Sequence, residues 1–120
     1  MSKIILLEDD ADLCETLAEG LTAHGYQVIT EKRVSSVMTR KLIMPDVAAV
    51  IMDMRLEDSS STIILRMMRA DHHLKSVKTI VISGHDDSEA RAAFWGADLF
   101  LPKPVTLAKL REALQSLGVS

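Results

Sequence analysis

At 120 residues, 48% hydrophobic and 26% charged, the chain has the size and make-up of one globular domain, which excludes disordered and fibrous classes. A formal net charge of −3 offers no broad basic field for nucleic acid, and Cys14, the only cysteine, excludes an internal disulfide and suits a reducing compartment. No apolar run approaches the roughly 18 residues that span a bilayer, and Met1-Ser2-Lys3 leads straight into an apolar run without room for a secretory signal, so a cytoplasmic protein is expected.

In chain order, Ile4-Ile5-Leu6-Leu7 reads as a first strand that stops at Glu8-Asp9-Asp10. Asp10 or Asp12 can cap the helix that follows, where Leu13, Leu17 and Leu21 recur four residues apart and Gly25 is the stop. Tyr26 to Thr30 is a second strand. Val34, Val37, Met38 and Leu42 mark a weaker helix that ends before Pro45. Val47 to Asp53 is the third and most apolar strand. Past the polar loop from Glu57 to Ser61, a helix is expected to carry Ile63, Ile64, Met67 and Met68 on one face. Thr79 to Ser83 is the fourth strand, and a short alanine-rich helix from about Ser88 to Trp95 is stopped by Gly96. Leu99 to Leu101 is the fifth strand. Thr106 caps a last helix that spaces Leu107, Leu110, Leu114 and Leu117 along one side.

This alternation predicts an α/β fold over residues 1–120, a doubly wound five-stranded parallel sheet with five helices and no linker or repeat. The strand order is not readable from the pattern; 2-1-3-4-5 is the flavodoxin-like expectation. Right-handed crossovers put the carboxyl ends of all strands on one edge. Glu8, Asp9, Asp53, Ser83 and Lys103 each follow or end a strand and so converge there. Three crowded carboxylates repel, and a magnesium-like ion with oxygen ligands relieves that repulsion. Asp53, alone at the end of its strand, is the candidate nucleophile for a phosphoryl group, which Lys103 and the Ser83 hydroxyl would contact. Taken singly, each residue has a bland reading as a cap, a turn former or a solvated charge. Five such groups at matching strand ends favour the site. A flavin or nucleotide binder lacks support, because Glu8-Asp9-Asp10 would repel phosphates and no glycine-rich loop follows the first strand.

Ile4-Ile5-Leu6-Leu7-Glu8-Asp9-Asp10, Val50-Ile51-Met52-Asp53, Ile80-Val81-Ile82-Ser83-Gly84 and Gly96 through Pro104 together resemble the receiver domain of two-component response regulators. The resemblance covers essentially the whole chain. It implies that Asp53 accepts a phosphoryl group from a sensor histidine kinase or phosphotransfer protein. It also implies that Mg²⁺ is bound by Asp9, Asp53 and the backbone carbonyl of Arg55, with Glu8 helping through water. Ser83 and Lys103 would contact the phosphoryl group, Phe100 would be the switch aromatic, and Lys103-Pro104 would be a cis bond. Signalling would run through the face of the fourth helix, fifth strand and fifth helix. The protein would be a switch with at most self-catalysed phosphotransfer and dephosphorylation, not an enzyme. Its partners would be an output domain beyond residue 120 or a separate protein target.

The chain departs from the family in two places. Glu57 and Ser61 stand where a proline and a glycine are usual, so the loop after Asp53 is expected to be looser and more polar. This departure is what would favour a phosphorylation-independent interaction module. Arg55 and His85 occupy the variable positions beside the phosphoryl site and are expected to tune the lifetime of the phosphorylated state. The second departure is Phe94-Trp95 at the end of the fourth helix. One ring would pack inward, and the other would anchor a partner or a second copy of the chain. Adjacent His72-His73 point apart on a helix and read as a solvated end. Cys14 reads as a small core residue.

Overall fold

In the computed structural model, residues 2–33, 47–53, 61–74, 76–83 and 96–120 are described, Ser61, Thr62, His73 and Ser83 by backbone alone. Five strands form one sheet: β1 (Lys3–Leu7), β2 (Gln27–Glu31), β3 (Val47–Asp53), β4 (Lys78–Ser83) and β5 (Leu99–Pro102). Every pair is parallel and the order is β2-β1-β3-β4-β5, as expected. The helices among the described residues are α1 (Ala11–Ala23), α2 (Ser61–Ala70) and α3 (Leu107–Ser116), with a 3-10 turn at His72–Leu74. The expected helices carrying Val34 to Leu42 and Ser88 to Trp95 lie outside the described residues.

Local chemistry sets the helix ends. The Asp10 carboxylate accepts from the backbone N–H of Asp12 and Leu13, which makes Asp10, not Asp12, the cap of α1. At the other end Gly25 takes φ +97°, where Cβ-bearing residues are strained, and the Tyr26 N–H returns to the Leu21 carbonyl. The Thr106 hydroxyl caps α3 by accepting from the Lys109 N–H.

Strand alternation divides the core into two layers. Ile5, Leu7, Val50, Met52 and Val81 face α2, where Ile64, Leu65 and Met68 are fully buried. Ile4, Leu6, Ala49, Ile51, Ile80 and Ile82 face α1 and α3, packing on Leu17, Leu21, Leu110 and Leu114. One expectation is corrected: Ile63 is 47% exposed and Leu65 takes its place inside, because the inward stripe of α2 runs through 64, 65 and 68. A bulge missed by the pattern lies in β3. Lys3 pairs with Val47 but Ile4 with Ala49, so Val47 and Val50 share a layer despite their odd separation.

Gly20 in mid-α1 marks where α3 comes close. A Cβ there would lie 2.5 Å from a methyl of Leu107. The chain end is also tied down: Val119 is buried beside Tyr26, whose hydroxyl donates to the Val119 carbonyl at 3.1 Å. Tyr26→Phe removes that buried donor and is expected to cost about 1–2 kcal/mol in urea denaturation. An unchanged midpoint would show that the bond contributes nothing net.

Candidate functional site

The sheet places the expected residues together at its carboxyl edge. Leu7 pairs with Met52, Asp53 with Ile82, and Ser83 with Pro102, so the strands end nearly level. Glu8 follows β1, Asp53 closes β3, Ser83 closes β4 and Lys103 follows β5. Carboxylate oxygens of Glu8, Asp9 and Asp53 all lie within 4.8 Å of one another. Glu8 and Asp53 are buried, at 1% and 6% exposed, while Asp9 is open to solvent. Lys103 reaches past the end of β4 and donates from Nζ to Asp53 Oδ2 at 2.6 Å. The Lys103-Pro104 peptide is cis.

Burying like charges this closely perturbs them. Burial pushes the Glu8 carboxyl up to about 7; the Asp10 N–H, donating to Glu8 Oε1 at 3.1 Å, opposes the rise, and Asp53 adds to it by charge and hydrogen bonding. Burial pulls the Lys103 ammonium down, but hydrogen bonding to Asp53 and the Asp53, Glu8 and Asp9 charges outweigh it and leave it raised. Lys103 is therefore a fixed cation in an acidic pocket. The donor set, three carboxylates of hard oxygen crowded within 4.8 Å, one of them pushed up to about 7 by burial, fits a small divalent cation whose charge relieves the crowding.

Phe100, the expected switch aromatic, is half-buried and packs against the α2-side core. Ser83 has its backbone at the site edge, at the end of β4. Arg55, Glu57, His85, Phe94 and Trp95 lie outside the described residues, as does all of the loop from 54 to 60. His72 is exposed in the 3-10 turn. Cys14 is a core residue, 6% exposed; burial, with the Glu8 charge behind it, pushes its thiol up, while Lys32 opposes this.

Sequence reasoning missed a polar cluster at the opposite pole of the sheet. Thr79, fully buried at the start of β4, donates its N–H to Asp98 Oδ2 at 2.8 Å. Arg69, in the last turn of α2, reaches Asp98 Oδ2 at 2.9 Å, Thr79 Oγ1 at 3.1 Å and the Gly96 carbonyl at 2.9 Å. A threonine heading an apolar strand and an aspartate just before another were the available signals.

Comparison with known proteins agrees with this arrangement. The model of the response regulator receiver domain matches residues 4–115. The transcriptional regulatory protein KdpE of Mycobacterium tuberculosis is 31% identical over 121 residues, covering 96% of this chain and 52% of its own. The probable transcriptional regulatory protein SilR of Salmonella typhimurium is 28% identical, with 96% and 50% covered. The chain thus spans about half the length of these curated relatives. Among solved structures, the non-phosphorylated HemR receiver domain from Leptospira biflexa superposes with a TM-score of 0.85 at 26% identity, covering 98% of this chain and 94% of that one. The chemotaxis response regulator CheY4 of Vibrio cholerae reaches 0.89 at 17% identity over 98% of both chains, a likeness of fold alone. With the matching family model laid over nearly the whole chain and the acidic edge in place, this protein belongs to the response regulator receiver domain family.

Proposed function

We propose that residues 1–120 act as one phosphoryl-accepting switch of a two-component system, with Asp53 as the acceptor. The observation that carries this reading is the Lys103–Asp53 contact of 2.6 Å inside a ring of carboxylates whose oxygens lie within 4.8 Å. One Asp53 oxygen is held by Lys103; the other attacks phosphorus, and the donor's bond to phosphorus breaks with its electron pair leaving on the donor. From a histidine kinase or phosphotransfer protein the leaving group is an imidazole. Lys103 then neutralises one oxygen of the new acyl phosphate, and the Ser83 hydroxyl donates to another.

Glu8, Asp9, Asp53 and the Arg55 carbonyl are the proposed ligands of Mg²⁺, which would offset charge on the incoming phosphoryl group. As Ser83 moves to the phosphoryl group, Phe100 is drawn inward, and the face around β5 and α3 changes with it. Water later hydrolyses the acyl phosphate, at a rate that Arg55 and His85 tune. The curated relatives are named as transcriptional regulatory proteins, and their extra length supports an output domain beyond residue 120; a separate protein target in the cytoplasm is the other arrangement. Phe94 or Trp95 would serve a protein partner or a homodimer, and no nucleic acid binds this domain directly. No described helix is long and apolar enough to cross a membrane.

The test is incubation with acetyl phosphate and Mg²⁺, intact-mass measurement, and mapping of the modified residue after borohydride reduction. One phosphoryl group on Asp53 is expected. No mass gain, or a gain at another residue, sinks the assignment.

A further inference from the structure

Strand β5 carries Lys103 at its carboxyl end, yet little in its backbone fixes where it sits. It is a four-residue edge strand, paired on one side only, with Ile80, Val81, Ile82 and Ser83 of β4 facing Leu99, Phe100, Leu101 and Pro102. With one row of backbone bonds, such a strand depends for its register on its buried side chains and on the groups at its ends. A slip of one residue would turn Leu99 and Leu101 away from the α1–α3 layer and Phe100 away from the α2 layer. It would also displace Lys103 by roughly 3.3 Å along the strand, more than its 2.6 Å contact with Asp53 tolerates.

The amino end of β5 is where the register is held. Asp98 Oδ2 accepts from the Thr79 N–H at 2.8 Å and from Arg69 Nη2 at 2.9 Å, so one oxygen joins β4, β5 and α2. The Asp98 N–H donates back, to Thr79 Oγ1 at 3.0 Å and to the Thr79 carbonyl at 3.1 Å. Arg69 Nε donates to the carbonyl of Gly96, whose φ of +86° turns the chain into the strand. Thr79 is fully buried, so an Asp98 carboxylate withdrawn from it would leave an unpaired N–H in the core. Only one alignment of β5 satisfies all these groups.

We propose that the Arg69–Thr79–Asp98 cluster locks β5 in register on β4 and so sets the reach of Lys103 to Asp53, which makes Arg69 and Asp98 positioning residues at the far pole of the sheet. The inference rests on Asp53 being the phosphoryl acceptor, but the lock itself has a readout that does not.

The test compares Asp98→Ala and Arg69→Ala with Val119→Ala, a core change beside Tyr26, which leads into β2 at the opposite edge of the sheet. Two quantities are measured well below each melting temperature. The first is the Lys103 side-chain NMR signal in metal-free protein, and the second is the rate of labelling by acetyl phosphate with Mg²⁺. The lock predicts that Asp98→Ala and Arg69→Ala shift Lys103 toward a free lysine and slow labelling on the order of 10-fold, because small misplacements at a reacting centre are costly. Val119→Ala should lower the melting temperature and leave both readouts unchanged. Asp98→Asn keeps an acceptor for the Thr79 N–H and should fall between wild type and Asp98→Ala. If Asp98→Ala does not fold, Arg69→Ala, which leaves the Thr79–Asp98 bonds intact, carries the same readouts. An unmoved Lys103 signal in the folded cluster variants overturns the proposal, as do equal effects from Val119→Ala. If wild type is never labelled, the acceptor assignment fails, and the Lys103 signal alone decides the lock.

Discussion

Asp53→Asn is expected to abolish acyl phosphate formation, and Lys103→Met to slow it on the order of 100-fold. The two losses differ in kind. An amide is not a nucleophile toward phosphorus, so Asp53→Asn removes the bond-forming atom while keeping the shape of the side chain. Lys103→Met leaves the nucleophile and removes the cation that meets one of its oxygens at 2.6 Å. The rate effect comes from the bond that the same ammonium would make to a phosphoryl oxygen as charge develops there; a charge-assisted hydrogen bond gained only then is worth about 1.5–3 kcal/mol, and about 2.7 kcal/mol is a factor of 100 in rate. Asp53 is only 6% exposed, so water replaces the ammonium poorly. Lys103→Arg should recover part of the rate, since charge is kept while the planar fork fits a point-charge site badly. Stopped-flow labelling with acetyl phosphate and Mg²⁺ measures all three. A Lys103→Met protein labelled at the wild-type rate would remove Lys103 from the mechanism.

Metal-free protein is expected to lose stability between pH 4.5 and about 7, the reverse of ordinary acid unfolding, because burial raises the Glu8 carboxyl to about 7 from 4.5. When the folded state holds the proton more tightly than the unfolded state, the stabilisation is complete below 4.5. It drains as pH rises and is gone above about 7, where both states are ionised. At about 1.4 kcal/mol per unit, the loss is roughly 2–4 kcal/mol, or on the order of 10 °C in melting temperature for a domain of this size.

Glu8→Gln keeps an acceptor for the Asp10 N–H and carries no charge, so its stability should be nearly flat across the same window. Mg²⁺ competes with the proton at this carboxyl, so its stabilising effect should be larger at pH 8 than at pH 5.5, and smaller in Glu8→Gln at pH 8. Thermal melts with and without chelator, from pH 4.5 to 8, read all of this. A wild-type stability that is flat or rises over that range would show that Glu8 titrates normally.

Much of this was legible in the sequence because it repeats at short range. Runs such as Ile4 to Leu7 and Val47 to Asp53 end in charged residues, and four-residue spacings such as Leu13, Leu17 and Leu21 sit between them. Those patterns name a parallel sheet and its carboxyl edge without coordinates. Asp53, Glu8 and Lys103 were legible for the same reason, each being the first polar group after a run that must be buried, and Asp9 directly follows Glu8. The sequence by itself thus determined the α/β class, the edge that carries the site, and the residues brought to it.

Tertiary structure decided what depends on neighbours distant in the chain. Ile63 and Leu65 are equally apolar, and only the direction of α2 over the sheet buries one and exposes the other. The bulge before Ala49 follows from pairing with β1, which no local period encodes. The raised carboxyl of Glu8 exists because folding buries it beside Asp53, 45 positions away, where water cannot screen either charge. Arg69, Thr79 and Asp98 are ordinary polar residues until the fold closes them on one another. A sequence read locally shows which groups must leave water; only the packed chain shows which groups they meet there.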